Sequence, residues 1–295
     1  MNEILVGSEA VAAGRLTRHE LSRWYRRIYH GIYVPKHAEL TLRDRAVAAW
    51  LASGRRGVIA GVAAAGLHGS AWIDLQTPIE ILGVTSRPQP GLVPRGDRFV
   101  DEDITHINGL AVTTAARTGF DLGRRGGRAQ ALARLDALAR CRGFMIDELQ
   151  PIIERNARAR GLRQLRELLP LVDAGAQSPR ESLTRLRLID AGFPIPQTQI
   201  PIVDDGRIVA YLDMGWEEFK VAVEYDGDQH RTDRRQYVKD IRRSRMLDAL
   251  DWISIRVVAE DHPQDVLARV YTALIDRGCH LDIDEMQTRT RTFAA

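Results

Sequence analysis

The sequence predicts an α/β chain in two parts: an N-terminal part that opens on a small helix-and-hairpin unit and continues as an α+β region, then a C-terminal α/β/α domain around a mixed central sheet. Three observations lead there. Short helical patterns alternate with β-prone runs over the first half. The last third reads helix, three strands, helix, strand, helix. Between them, Asp-Ala-Gly-Ala-Gln-Ser-Pro at 173–179 thins the hydrophobic pattern in the manner of a domain boundary. With 295 residues, 44% of them hydrophobic, the chain can fill two cores.

The elements follow in order. Residues 8–13 read as a short helix ended by Gly14. Thr17 caps a second helix, and Glu20 three residues on completes a capping box. In LTRHELSRWYRR, Leu21 faces inward with Trp24 or Tyr25, while Arg18, Arg23, Arg26 and Arg27 lie around the remaining surface. Ile28 to Val34 reads as a tight strand pair about Gly31, closed by Pro35. Short helices, one of them Arg-rich, and a small hairpin are the parts of a winged helix, assigned to 1–35. Over 36–172 helices are expected at 41–53, 58–68, 114–121, 124–140, 147–155 and 161–170. Strands are expected at 79–85 and within 98–113, and the glycines and prolines of RPQPGLVPRG make a loop between them.

The domain at 173–283 begins with Ser178 as cap, Pro179 in the first helical position and Glu181 in the third, for a helix running to Ala191. Strands follow at 197–203, 207–214 and 219–226, then a helix at 233–250, a strand at 252–258 and a helix at 263–276. Residues 284–295 read as a frayed tail.

The formal net charge of +3 singles out no partner, but of 42 basic residues only Lys36, Lys220 and Lys239 are lysines. Arginine's rigid fork suits phosphates and base edges; the same bias also follows from genome composition. Cys141 and Cys279 stand far apart with no metal-ligand spacing, which fits a reducing cytoplasm. The opening MNEILVGSEAVAAG has an early acid and no long apolar run, unlike a signal peptide, and no uncharged apolar run reaches membrane-spanning length.

The acids that point to chemistry sit inside otherwise apolar, β-prone segments. Asp213 ends Ile-Val-Ala-Tyr-Leu-Asp, and Glu224 and Asp226 end Lys-Val-Ala-Val-Glu-Tyr-Asp. Glu224 and Asp226 share a strand face by alternation, and a link at 215–218 can fold a hairpin that sets Asp213 beside Glu224. Carboxylates gathered so closely raise one another's pKa, and a hard divalent cation, Mg²⁺ or Mn²⁺, resolves the conflict. The alternative is a set of surface acids at strand ends. Glu181 adds a fourth carboxylate or serves only as a cap. Gly227 permits a sharp turn that hangs His230 beside the site as general base, phosphate ligand or structural residue. Lys239, Arg242, Arg243 and Arg245 line the next helix, where Arg243 pairs with Asp240 or holds a phosphate. In the middle region His68 and Asp74 have no partner pattern.

The segments SPRESLTRLRLIDAGFPIPQTQ, YLDMGW, VAVEYDGDQH and DIRRSRMLDALDWISIRV, in that order and spacing, resemble the DUF559 family from Ser178 to about Ala273. That family is a branch of the PD-(D/E)XK nuclease superfamily related to very-short-patch mismatch-repair endonucleases. The resemblance implies a restriction-endonuclease-like α/β/α fold, with acidic motifs at Asp213 and Glu224, the helix glutamate at Glu181, the strand-end histidine at His230 and an Asp-x-x-Arg at Asp240 and Arg243. Asp226 stands where the superfamily usually has lysine, as it does in related DUF559 proteins. Lys220 is on the same strand by parity, but four residues back from Glu224. The first 35 residues, with GVAAAGLHG at 61–69 and GLAVTTAARTGFDL at 109–122, are similar to AbiEi-family antitoxins, which implies DNA binding and autoregulation. Members of that family work opposite a toxin; nothing in this sequence shows one.

The expectation is a metal-dependent DNA endonuclease. Asp213, Glu224 and Asp226 bind the cation, with Glu181 and His230 assisting. Arg18, Arg23, Arg26, Arg27, Tyr29, His30 and Arg243 contact DNA. Symmetric cutting of a duplex calls for two sites, hence a homodimer or two visits. The alternative is a DNA-binding regulator or antitoxin whose nuclease-like domain does not cut. A role without nucleic acid is a third reading.

Overall fold

The computed structural model describes residues 2–85, 87–143, 146–226 and 234–281, with the backbone alone at 234–239. His230 and the expected tail at 284–295 lie outside the described residues. The chain divides into two compact units, residues 1–172 and 173–295.

The first unit starts with β1 (Leu5–Val6), α1 (Gly7–Ala12), α2 (Arg18–Trp24), β2 (Tyr25–Tyr29) and β3 (Ile32–Pro35), and its small sheet has the order β1-β3-β2. The Thr17–Glu20 capping box forms. Helix α2 ends earlier than its pattern suggests, so Arg26 and Arg27 lie on a strand. Tyr25, Ile28 and Tyr29 are β-formers, and Arg26 and Arg27 pair with Val34 and Tyr33 of β3. Gly31, with φ of 75°, makes the turn. The first 35 residues do not stand apart as a domain. Tyr29 and Ile32 belong to one core with Ala46, Ala49, Ile59, Ala63 and Ile81. A stretch this short cannot bury enough apolar surface to be stable on its own, so it shares the next layer's core.

That layer comprises α3 (Leu42–Ala52), β4 (Val58–Ala60), α4 (Gly61–His68), β5 (Ile79–Leu82), β6 (Leu92–Arg95), β7 (Ile104–Ile107) and β8 (Leu110–Thr113), with sheet order β6-β5-β4-β8-β7. Residues 58–60, expected as helix, are instead a fully buried central strand. Gly61 (φ 61°) turns the chain into α4. The expected loop holds β6, which tolerates Pro94 because it is an edge strand. Helices α5 (Ala115–Gly123), α6 (Arg128–Arg142), α7 (Gln150–Arg155) and α8 (Leu162–Leu168) complete the unit.

Its interior carries an ion cluster. Arg117, with no exposed surface, donates to Asp103 (2.9 Å), Asp121 (3.2 Å) and the Arg98 carbonyl (2.8 Å). Arg155 reaches the other Asp103 oxygen at 2.7 Å, and Arg124 reaches the other Asp121 oxygen at 2.7 Å.

The second unit runs α9 (Pro179–Asp190), β9 (Gln197–Asp204), β10 (Arg207–Trp216), β11 (Val221–Tyr225), α10 (Arg234–Ala249), β12 (Ile253–Val257) and α11 (Pro263–Asp276). The sheet order is β12-β11-β10-β9, with β11 and β12 parallel and the other pairs antiparallel. Strand alternation splits the core in two. Val221 and Val223 face Leu188 of α9 and Val266, Val270 and Leu274 of α11. Ala222 faces Leu247 of α10, together with Ile200, Ile202, Leu212 and Trp252. Helices thus cover both faces in an α/β/α arrangement.

Removing one partner of a buried pair strands a charge in low dielectric. Arg117→Met should therefore lower the stability of the protein by about 3 kcal/mol in urea unfolding. Breaking the exposed Arg163–Glu167 pair with Arg163→Met should change it by less than about 0.5 kcal/mol. Equal effects would show that the interior cluster does not hold the unit.

Candidate active site

The site grows out of a fork in the second sheet. The β10–β11 ladder runs through Trp216↔Val221, Gly215↔Ala222 and Met214↔Val223 and ends there. Beyond it β10 continues against β9, at Leu212↔Ile200, and β11 continues against β12, at Glu224↔Arg256 and Tyr225↔Val257. Asp213 and Glu224 are the first residues on the two diverging arms. Gly215 is needed just below the fork, because a Cβ there would lie 2.3 Å from the Val221 carbonyl oxygen. The hairpin link is 217–220, two residues later than expected. Lys220 takes a left-handed backbone in that link and donates to the Leu250 carbonyl at 3.1 Å, so it is not on the acid-bearing face.

Asp213 is half-buried, and its Oδ2 accepts from the Tyr225 backbone N–H at 2.8 Å. Its carboxyl is pushed up to about 6: burial is the largest cause, the negative charges of Glu181 and Glu224 add to it, and the Tyr225 N–H and Arg243 oppose it. Glu181, only 7% exposed, arrives from the first turn of α9. Its backbone N–H donates to Ser178 Oγ (3.2 Å), and its Oε2 accepts from the Gln177 N–H (2.8 Å). Ser178 is thus the cap, while the Glu181 side chain binds the Gln177 N–H ahead of the helix and acts on Asp213. Glu224 Oε1 accepts from Ser254 Oγ at 2.6 Å, and its Oε2 is paired with Arg243 of α10. Arg243 Nη2 also donates to the Tyr211 carbonyl at 2.6 Å.

The interacting trio is thus Glu181, Asp213 and Glu224, in place of the expected Asp213, Glu224 and Asp226. Asp226 is exposed one residue beyond β11, where its backbone N–H donates to the Val257 carbonyl (2.8 Å). Arg243 pairs with Glu224, and the Asp240 carbonyl accepts from Arg256 (3.5 Å). In the first unit Arg18, Arg23, Arg26, Arg27 and His30 are exposed. Arg23 lies over the Trp24 ring, and Arg26 donates to the Ala38 carbonyl at 3.0 Å. Tyr29 is a correction. It is 5% exposed, packs in the core and donates to the Gly91 carbonyl at 3.0 Å, so it presents nothing to DNA. The apolar cluster of Ile32, Ala46, Ala49 and Ile59 claims its ring. Ser254 was missed by sequence reasoning; its only signal is a polar residue within Ile-Ser-Ile-Arg-Val, and the partner appears only once β12 is known to lie beside β11.

The uncharacterized proteins MT2308 (Mycobacterium tuberculosis strain CDC 1551 / Oshkosh) and Rv2248 (strain ATCC 25618 / H37Rv) are each 30% identical to the chain over 251 residues, 83% of this chain and 90% of the relative. The chain belongs to the family of these mycobacterial proteins. The matched length exceeds either unit alone, so the likeness runs through both. No family model matches the chain, and no solved structure matches it.

Among the described residues no group of three or more His, Cys, Asp or Glu side chains is arranged to hold a metal ion. The donor chemistry at the fork still suits a hard cation. The Asp213 carboxyl is pushed up to about 6 by burial, with two acidic neighbours adding to it. Mg²⁺ is commonly held by one or two carboxylates and completes its shell with water and phosphate. Asp213 and Glu224 meet that smaller requirement.

The raised pKa has a stability consequence. A carboxyl whose folded pKa lies above its unfolded value favours the fold below the unfolded pKa, and that contribution is lost as pH rises through about 6. Asp213→Asn removes the dependence. The variant should be more stable than the parent at pH 8, by at most about 3 kcal/mol, and the gain should vanish towards pH 4. Thermal unfolding at the two pH values checks this, and an equal difference at both would refute the assignment.

Proposed function

We propose that the second unit is a Mg²⁺- or Mn²⁺-dependent nuclease domain acting on DNA. The observation that carries the reading is Asp213: a half-buried carboxyl in the mouth of the fork, beside Glu181 and Glu224, raised to about 6. A fold does not ordinarily keep an uncompensated acid there unless a ligand with positive charge answers it. Asp213 and Glu224 would hold the cation. When bound, that cation supplies a Lewis acid and lowers the pKa of a nearby water. Glu181 keeps negative charge beside Asp213. Tyr225 N–H and Ser254 Oγ fix the rotamers of Asp213 and Glu224, so the two carboxylates are oriented before a substrate arrives. The exposed Arg18, Arg23, Arg26 and Arg27 of the first unit supply sequence-independent attraction to the DNA backbone.

The rival reading is a DNA-binding regulator with a silent nuclease-like domain. Two observations favour it: both oxygens of Glu224 are already engaged, by Arg243 and Ser254, and acidic Asp226 stands where the superfamily usually has lysine.

Cleavage assays on nicked, mismatched, branched and single-stranded DNA with Mg²⁺ or Mn²⁺ separate the two. Asp213→Asn and Glu224→Gln should each reduce cutting by at least about a hundredfold while leaving DNA affinity within about twofold. Wild-type protein that binds DNA but cuts none of these substrates supports the rival instead. In the same assay Arg18→Ala with Arg23→Ala should weaken binding and lower its salt dependence by up to about two counterions. An unchanged salt slope would remove the first unit from the interface.

A further inference from the structure

We infer that Arg243 is a displaceable counter-cation: it neutralises Glu224 in the resting protein, a divalent cation displaces it from that carboxylate, and the freed guanidinium then grips a phosphate of the substrate. The inference rests on the nuclease reading above and adds a competition within it.

The two partners of the ion pair are unequal. The Glu224 side chain is 14% exposed and fixed on its far side by Ser254. The Arg243 side chain is 31% exposed and sits on α10, across the fork from α9 and Glu181. Glu224 therefore has nowhere to go, while Arg243 has solvent to move into. Its hold is also modest. A single terminal nitrogen, Nη2, makes both described contacts, to Glu224 and to the Tyr211 carbonyl, so the guanidinium is not engaged as a two-pronged fork.

The arginine cannot satisfy the whole site. With Arg243 in place, its described bonds go to Glu224 and the Tyr211 carbonyl, and the described hydrogen bond to Asp213 comes from the neutral Tyr225 backbone N–H. Asp213 and Glu224 would hold a compact divalent ion, which would supply the charge both lack, and the Ser254 hydrogen bond keeps Glu224 oriented under either partner. Displaced into the mouth, Arg243 carries its planar set of donors to where a phosphate bound at the cation would lie. The device has two effects. Glu224 is never left bare in the resting protein, and cation affinity is weakened by the need to remove the arginine.

Calorimetric titration of the full chain with Mn²⁺ reads the first effect. Arg243→Gln should bind Mn²⁺ on the order of tenfold more tightly than wild type, and Arg243→Lys should fall between them. Combining Arg243→Gln with Glu224→Gln should abolish the gain. Affinity for a short DNA duplex reads the second. Arg243→Gln should weaken it several-fold with Ca²⁺ present and leave it unchanged without divalent cation. Equal or weaker Mn²⁺ affinity in Arg243→Gln, alongside wild-type binding that Asp213→Asn abolishes, overturns the competition while leaving the nuclease reading in place. No Mn²⁺ binding by wild type or by either Arg243 variant overturns both. An equal loss of DNA affinity with and without Ca²⁺ makes Arg243 a fixed contact and overturns the displacement.

Discussion

The burial of the Asp213 carboxyl beside two further acids is the constraint around which the fork of the second sheet is arranged. An ionised carboxylate in a half-buried position is costly, and two further acids make it costlier. The surrounding structure answers in part. Tyr225 N–H donates to Asp213, Ser254 to Glu224 and Gln177 N–H to Glu181, and Arg243 supplies one positive charge. These partners orient the carboxylates without discharging them, since Asp213 still stays near 6. Perturbed acids of this kind cluster at functional sites, and the proposed reading draws on that tendency.

The sheet explains how three separate elements deliver the acids. The β10–β11 ladder breaks at Met214↔Val223, each arm keeps a partner on its outer side, and α9 presents Glu181 from one face while α10 presents Arg243 from the other. The opening is therefore built into the pairing pattern and does not depend on a loop. The first unit has its own buried ion cluster, in which each charge finds a partner. There the arginines and aspartates balance one another, whereas at the fork three acids face one described arginine.

Much of this was legible in the sequence. The last third was readable nearly element by element, because its strands are short β-branched runs and its first helix carries a clear cap at Ser178. Asp213 and Glu224 stood out as acids inside apolar strands. Less was legible where tertiary pairing decides. Val58–Ala60 looks helical beside an alanine-rich run and becomes a strand because β5 and β8 flank it. Tyr29 looked like a wing residue and is core, since its side of the hairpin packs with Ile32 into the cluster that holds Ala46, Ile59 and Ile81. Asp226 shares parity with Glu224, but the strand ends before it. Ser254 and the Arg243–Glu224 pair required the register of β11 against β12 and the placement of α10, neither of which local patterns contain.

The most direct test is the titration of the Asp213 carboxyl itself by carbon NMR of the full chain, with and without Mg²⁺, assigned by its loss in Asp213→Asn. A midpoint near 6 that falls well below the ordinary carboxylate range when Mg²⁺ is added is the result this account predicts. A midpoint close to that of an exposed aspartate, unmoved by Mg²⁺, would contradict it.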